Sequence, residues 1–445
     1  MLPNTLWVCD SILQPGSVSF RVYLVKDDNQ TTTLRTLTAH PEAAAPKTIM
    51  KPNQPYHTRK FRTIPLLALA AAPLLAQAQD RTTKLAEPNG FDQLWGLATL
   101  YKDDHNPILQ EFKLRGRYHG QYWDVDADQG SQSNWEDRRS RLGFDAKLFD
   151  KKLEVRLDFQ SNDGFEDFYD GLVDAYILWK PESWLSITVG KMKPLIAEYD
   201  WLESTNTQPT FERSQIFNQL NIVRATGLTV EGKHEELSWR LGVYSNDTPT
   251  TTNGSGSLGD GEFGDFNGGI SYSLGLGYDF KKTFGFDKAD FWLDWIHSDR
   301  QAGDLTLGRY DDILTTTLSL KEAEAALVFE AFYASGGDQK NSDIFGFFIQ
   351  PSYDIIPKKL QLVGRYSYSN STGPEGVLGQ SRYERTEATN GGRGDAYHSI
   401  YGGVQYFIYG DKLKLMAGAE WAHLSGATND SYDGLTLLSG IRLSF

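Results

Sequence analysis

The 445-residue chain has almost no cysteine. Its single one, Cys9, lies near the start, upstream of a segment that reads as a removable leader. A mature chain beginning after that leader has none, which excludes disulfides, thiolate catalysis and cysteine-ligated metals. Long apolar runs are also lacking. The run of note, Ile64 to Leu75, falls short of the roughly 20 residues a spanning helix needs, and the mean hydropathy is −0.45. Basic charge is scarce as well, with 44 Lys and Arg against 58 Asp and Glu and a net charge of −14. Residues 1–78 hold 8 of the basic and 4 of the acidic residues, so the remainder carries 36 against 54, a net charge of −18. That balance excludes a nucleic-acid partner, because phosphate neutralisation needs clustered Lys and Arg.

Catalytic and metal-binding patterns are missing too. The eight His show no zinc spacing, and no Gly-x-Ser-x-Gly elbow occurs. Gly254-Ser255-Gly256-Ser257-Leu258-Gly259 has the spacing of a dinucleotide fingerprint but not its strand-to-helix context, so it reads as a flexible loop. Asp260, Glu262 and Asp265 lack the EF-hand pattern. No catalytic residue, metal or cofactor is expected.

What is present begins with the targeting signal. Lys51, Arg59, Lys60 and Arg62 precede the apolar run and Ala76-Gln77-Ala78 follows it, the layout of a secretory signal peptide cleaved near Ala78. Residues 1–49 have no clear pattern and read as a mis-assigned upstream extension with Met50 as the true start; a genuine cytoplasmic extension is the rival. The division expected is 1–49 extension, 50–78 signal peptide, 79–108 a loosely structured periplasmic leader and 109–445 one domain.

Through that domain, apolar and polar residues alternate over segments of about ten, the period of a strand. In Phe112 to His119 one face is Phe, Leu, Gly and Tyr and the other Lys, Arg, Arg and His. Leu153–Phe159, Leu237–Val243 and Leu413–Trp421 repeat the arrangement. Sixteen such segments start near 110, 136, 152, 171, 184, 223, 237, 268, 288, 309, 324, 344, 359, 395, 412 and 434. The connections alternate: long and polar at 124–134, 246–267, 370–394 and 425–433, short at Asp150-Lys151, 181–183, 233–236 and Gly410-Asp411. Sorted loops and an even strand count point to an all-β fold, a transmembrane antiparallel β-barrel of about 16 strands in a bacterial outer membrane. Tyr118, Tyr122, Trp179, Trp239, Tyr244, Trp295, Tyr333, Tyr366, Tyr368, Tyr406 and Trp421 are candidates for its interfacial girdles. The last strand ends on Phe445, a terminus suited to the barrel-assembly machinery.

Phe112–Arg117, Asp137–Phe144, Asp174–Ile177, Ile187–Pro194 and Phe211-Glu212-Arg213-Ser214 resemble the phosphate-selective porin O and P family. The likeness covers essentially 110–445 and is strongest over 110–245. It implies a 16-stranded, homotrimeric diffusion porin in the lipid bilayer, with small polar or anionic solutes, phosphate in particular, as cargo.

Alternation places Lys113, Arg115, Arg117, Arg139, Arg141 and Arg156 on the lumenal face of the first three strands, a cationic wall that could select ions at close range. Arg suits oxyanions through its planar donor fork. The bland alternative is that these cations only pair with Asp145, Glu154 and Asp158. The segment Pro194–Asn221, with Glu198, Asp200, Glu203 and Glu212 against Arg213, is the candidate constriction loop, since a 16-stranded barrel leaves an aqueous channel that something must narrow. An acidic loop facing a basic wall would set a transverse field. Other lumenal positions mix Asp174, Asp290, Asp294, Glu330 and Glu420 with Arg240, Arg365, Lys414 and Arg442, which weakens a purely anionic cargo and keeps open a general or cation-preferring porin. A plugged barrel acting as adhesin or enzyme is the alternative of another class.

Overall fold

The computed structural model of the protein describes three strands within residues 6–39, by their backbone, and residues 90–445 apart from 162–167, 247–262, 264–265, 267, 300–306, 338–340, 390–391 and 427–430. The expected signal peptide and its cleavage site lie outside the described residues, as do Gly254–Gly259 and the acidic trio Asp260, Glu262 and Asp265. The chain divides into two units, Met1–Thr82 and Thr83–Phe445. In the first, β1 (Leu6–Gln14), β2 (Ser17–Lys26) and β3 (Gln30–Ala39) form an antiparallel sheet in that order, where the sequence shows no clear pattern.

The second unit opens with α1 (Gly90–Gly96) and β4 (Thr99–Lys102), so part of the leader expected to be loose is ordered. The barrel strands follow. They are β5 (Leu109–Ala127), β6 (Gly130–Leu148), β7 (Leu153–Ser161), β8 (Gly171–Glu182), β9 (Leu185–Met192), β10 (Ala225–His234), β11 (Leu237–Ser245) and β12 (Ile270–Asp279). After them come β13 (Lys288–Ser298), β14 (Asp312–Glu322), β15 (Ala325–Ser335), β16 (Ile344–Ile356) and β17 (Leu360–Ser371). A small hairpin, β18 (Val377–Leu378) and β19 (Arg393–Gly394), precedes β20 (Ala396–Tyr409), β21 (Leu413–Ser425) and β22 (Tyr432–Ser444). β5–β17 and β20–β22, sixteen strands, pair with their chain neighbours, and β22 pairs with β5 to close the barrel. Closure leaves no open sheet edge for a bilayer to meet.

Fifteen strands start within three residues of the sequence expectation, and β6 starts at Gly130 rather than near 136. The region 124–134 is therefore a hairpin and not a long loop. Asp124 and Asp126 alternate with the inward, buried Trp123 and Val125, so both faces carry polar or enclosed residues where the hairpin rises past the bilayer.

Within the apolar band the usual pattern of a soluble protein is inverted. Leu241, Leu274, Leu276, Trp295 and Leu437 are exposed, whereas Arg240, Asp294, Glu330, Arg365, Lys414 and Arg442 are buried. Such a surface faces lipid. Tyr122, Trp179, Trp295, Tyr333, Tyr406 and Trp421 are exposed on it; Tyr244 instead points inward and is fully buried, its hydroxyl accepting from the Leu195 N–H at 2.9 Å.

The lumen holds an apolar core of its own. Residues 193–224, between β9 and β10, enter the barrel and form a π-helical turn at Glu198–Leu202 and a short helix, α2 (Gln215–Leu220). Trp201, Ile216, Phe217 and Leu220 pack with the wall residues Ile313, Phe332 and Phe348. Gly346 makes room for α2, because a Cβ there would meet Ile216 Cγ1 at 2.8 Å. The segment after β17 also folds in: Gln219 donates to the Gly376 carbonyl at 2.5 Å and accepts from the Leu378 N–H at 3.0 Å. Both insertions also reach β5 and β6, the second through Tyr383 on Gln121 and Arg382 on Glu136, and polar cavities remain beside the first along β5–β7.

Candidate pore constriction

The inserted segment is fixed by buried charge. Its entry residue Ala197 adopts a left-handed φ of 55°, unusual for a residue with a Cβ, and its N–H donates to Thr315 Oγ1 at 3.2 Å. The next turn is held from the wall by Glu330, whose carboxylate accepts the N–H groups of Tyr199 at 3.0 Å and Asp200 at 2.9 Å. Asp200 in turn accepts from the backbone and hydroxyl of Ser214, at 3.0 and 2.5 Å, while the Ser214 hydroxyl caps α2 by accepting from the Phe217 N–H. Capping side chains satisfy donors that a helix start leaves free.

Most carboxylates of this segment are engaged by partners other than the arginines of β5 and β6. Glu198 pairs with Arg240 of β11 at 2.5 Å, Asp200 is enclosed at the Ser214 cap, and Glu203 accepts from the Ser204 N–H and the Thr207 hydroxyl. Only Glu212 meets the basic wall, accepting from Arg138 Nε at 2.5 Å and Nη2 at 2.9 Å, with Arg139 at 3.9 Å. Burial would raise the pKa of Glu212, but Arg138 and Arg139 override it and hold the carboxyl well below the ordinary range. The transverse field expected from an acidic loop is thus replaced by a cavity in which cations predominate.

That cavity is lined by Arg117, Arg138, Arg139 and Arg141 from the wall and by Lys193, Arg213 and Arg224 from the insertion and its flanks, with Glu212 as the lining carboxylate. A second cavity toward the short-turn end is lined by Lys113, Arg115 and Lys412 with Asp158, and shares Arg117 and Arg141 with the first. Together they mark a path down the inner face of β5 and β6.

The six wall residues expected from the sequence divide in two. Arg115 pairs with Asp145 at 2.7 Å and Asp158 at 3.0 Å, and Arg156 with Asp145 at 2.6 Å and Glu154 at 2.9 Å, so these cations are neutralised. Arg117 donates instead to Thr205 Oγ1 at 3.1 Å and Arg141 to Gln160 at 3.3 Å. Among the described residues neither has a carboxylate within 4 Å, and Lys113 forms no ion pair. These cations are not neutralised by a direct ion pair among the described residues.

Four further cations escaped the alternation rule. Arg138 follows Asp137, which faces outward opposite Gly120, and it would be expected to do otherwise than Arg139; a bulge between the His119–Arg139 and Gly120–Asp137 pairs lets it join Arg139 inside. The adjacent Arg138-Arg139 in a lipid-facing strand was the available signal. Lys193, Arg224 and Lys412 lie just outside strand ends, where period two carries no information. Arg224 pairs with Asp174 at 2.6 Å.

Trp201 explains how like charges gather here. Lys193, Arg213 and Arg224 lie over its ring at 5.1, 4.8 and 5.5 Å, and an electron-rich face offsets part of their repulsion. Burial, then Arg213 and Arg224, push the Lys193 pKa well below the usual lysine value. Burial lowers that of Arg213 to about 10 against the pull of Asp200.

The family model of phosphate-selective porin O and P matches residues 112–284, which hold both the wall and the insertion. Over that stretch the chain is similar to the phosphate-selective porin O and P family. Solved structures similar to this chain include Salmonella typhi OmpF, with a TM-score of 0.54 at 14% identity over 78% of this chain and all (100%) of that one. Pseudomonas putida OprB gives 0.52 at 11% identity over 75% and 94%, and the anion-selective porin of Comamonas acidovorans 0.50 at 14% over 75% and 99%. At such identities they establish the barrel fold alone. No curated protein matches the sequence.

Proposed function

We propose that this outer-membrane porin passes small oxyanions, phosphate among them, by passive diffusion along the β5–β9 side of its lumen. The observation that carries this reading is the pair of lumenal guanidiniums, Arg117 and Arg141, that lack a carboxylate within 4 Å and line both cavities. In a confined opening, fixed charge selects ions because a permeating ion exchanges hydration for those groups. The insertion narrows the channel toward this wall, and Arg213 adds to the positive lining of the first cavity. Family resemblance supports a homotrimer, and the basic residues before the apolar run Ile64 to Leu75, with Ala76-Gln77-Ala78 after it, support export with cleavage near Ala78. The test is competition: phosphate added to a chloride-conducting bilayer lowers the chloride current, and Arg141→Ala weakens that block. Phosphate without effect on the wild-type current contradicts the reading.

A general or cation-preferring porin is the second reading, favoured by the net charge of −14. It predicts no phosphate block and no loss of anion current in Arg141→Ala.

A further inference from the structure

We propose that residues 90–102 form a membrane-seated latch across the seam where the barrel closes. Two segments share one edge of β5. β22 pairs with it from Arg117 to Ala127, and β4 pairs with it from Glu111 to Lys113. Between them no rung is left open: Gly116 and Phe445 exchange backbone hydrogen bonds at 3.1 and 3.0 Å, and the Leu114 N–H donates to the Ala98 carbonyl at 2.8 Å. The leader therefore takes over the ladder where the C-terminus ends. Without it the Glu111–Leu114 edge would be bare, and an unpaired strand edge is both costly near lipid and open to foreign strands.

The same segment also grips the other side of the seam. Trp95 Nε1 donates to the Ser444 carbonyl at 2.6 Å, and its ring lies 5.1 Å from that of Tyr409 at the end of β20. Phe91 stacks on Tyr409 at 5.5 Å, and the Tyr409 hydroxyl donates to Asp92 at 2.5 Å. β4 is thus bonded to the first barrel strand while α1 is fastened to β20 and β22. The Phe445 ring is seated on Gly116, where a Cβ would meet it at 2.1 Å.

The outward side of the latch matches the bilayer. Leu94, Leu97 and Leu100 are 57%, 72% and 57% exposed, and the groove that Leu94 and Leu97 line is continued by Leu114, Leu443 and Phe445 of the lipid-facing barrel wall. Continuity with that wall assigns the leaflet at the short-turn end as their partner.

Trp95→Ala tests the latch in the full chain. Hydrogen–deuterium exchange should rise severalfold at residues 111–116 and 440–445, and the heat-induced shift to the unfolded gel band should move to lower temperature. Exchange at β12–β15 and the ion selectivity should stay unchanged. A rise spread evenly over the barrel, or none, overturns the proposal. A Thr99→Cys/Lys113→Cys pair in a Cys9→Ser background serves if Trp95→Ala fails to fold: oxidation should raise the temperature of the gel shift, and no rise counts against the latch. A fluorophore on Leu97→Cys should be quenched by brominated acyl chains, and absence of quenching refutes the membrane seat.

Discussion

Glu330 on β15 accepts the consecutive backbone N–H groups of Tyr199 and Asp200, at 3.0 and 2.9 Å, and so pins the inserted turn to the wall opposite the arginines. Removing the acceptor frees that turn to move toward the open side or out of the lumen. Glu330→Ala forfeits these two backbone hydrogen bonds, about 3 kcal/mol in all, as well as the one from the Thr317 hydroxyl. Single-channel recordings should show higher or unstable conductance with a weaker anion preference, and Glu330→Gln, which keeps one acceptor oxygen but turns an NH2 toward the other N–H, should fall between Ala and wild type. Identical behaviour of the Ala and wild-type channels would mean that the turn is held by its apolar packing instead.

The wall makes a second prediction, because its arginines are not equivalent. Arg115 lies between Asp145 and Asp158, so Arg115→Ala removes a charge already balanced. Arg141 has only Gln160 as a polar partner among those described, so Arg141→Ala removes free positive potential. Reversal potentials should move toward cations more in Arg141→Ala than in Arg115→Ala. Equal shifts would show that pairing does not govern the field in the lumen.

A third prediction concerns pH. Burial and the neighbouring Arg213 and Arg224 favour the neutral form of Lys193, so its pKa lies below the ordinary lysine value. As pH rises, this cation is lost before an ordinary lysine is. Anion preference should therefore decline on the alkaline side below the range in which ordinary lysines titrate, and Lys193→Met should remove that phase. A flat profile in the wild-type channel would contradict it.

The fourth prediction tests the core inside the barrel. Phe217 is buried, stacks on Trp201 at 5.4 Å and approaches Phe332 at 6.5 Å. Phe217→Ala should cost about 3–5 kcal/mol, the range for truncating a buried aromatic, read by urea unfolding in vesicles. A loss below about 1 kcal/mol would be that of an exposed site and would place Phe217 outside a packed core.

Much of this architecture was legible because period two survives wherever one face meets lipid and the other the lumen. It failed at β6, where Ser131 and Ser133 share the outward face with Trp135 above the bilayer, so apolar alternation has no cause there. The wall was legible in outline, since Arg139 and Arg141 sit on lumenal positions. Which cations remain free was not, because it depends on partners brought from far along the chain: Asp158 lies 43 residues from Arg115, and Glu212 74 residues from Arg138. The acidic composition of the insertion suggested a negative surface, yet Glu198 and Asp200 serve its own folding. Arg138 reaches the lumen through a bulge that strict alternation cannot foresee.

The central claim, that unpaired arginines make this an anion pathway, is tested most directly by the reversal potential of the purified channel in a planar bilayer under a KCl gradient. The account predicts a potential of the sign set by chloride, reduced in the Arg117→Ala/Arg141→Ala double variant. A wild-type potential set by potassium would contradict it.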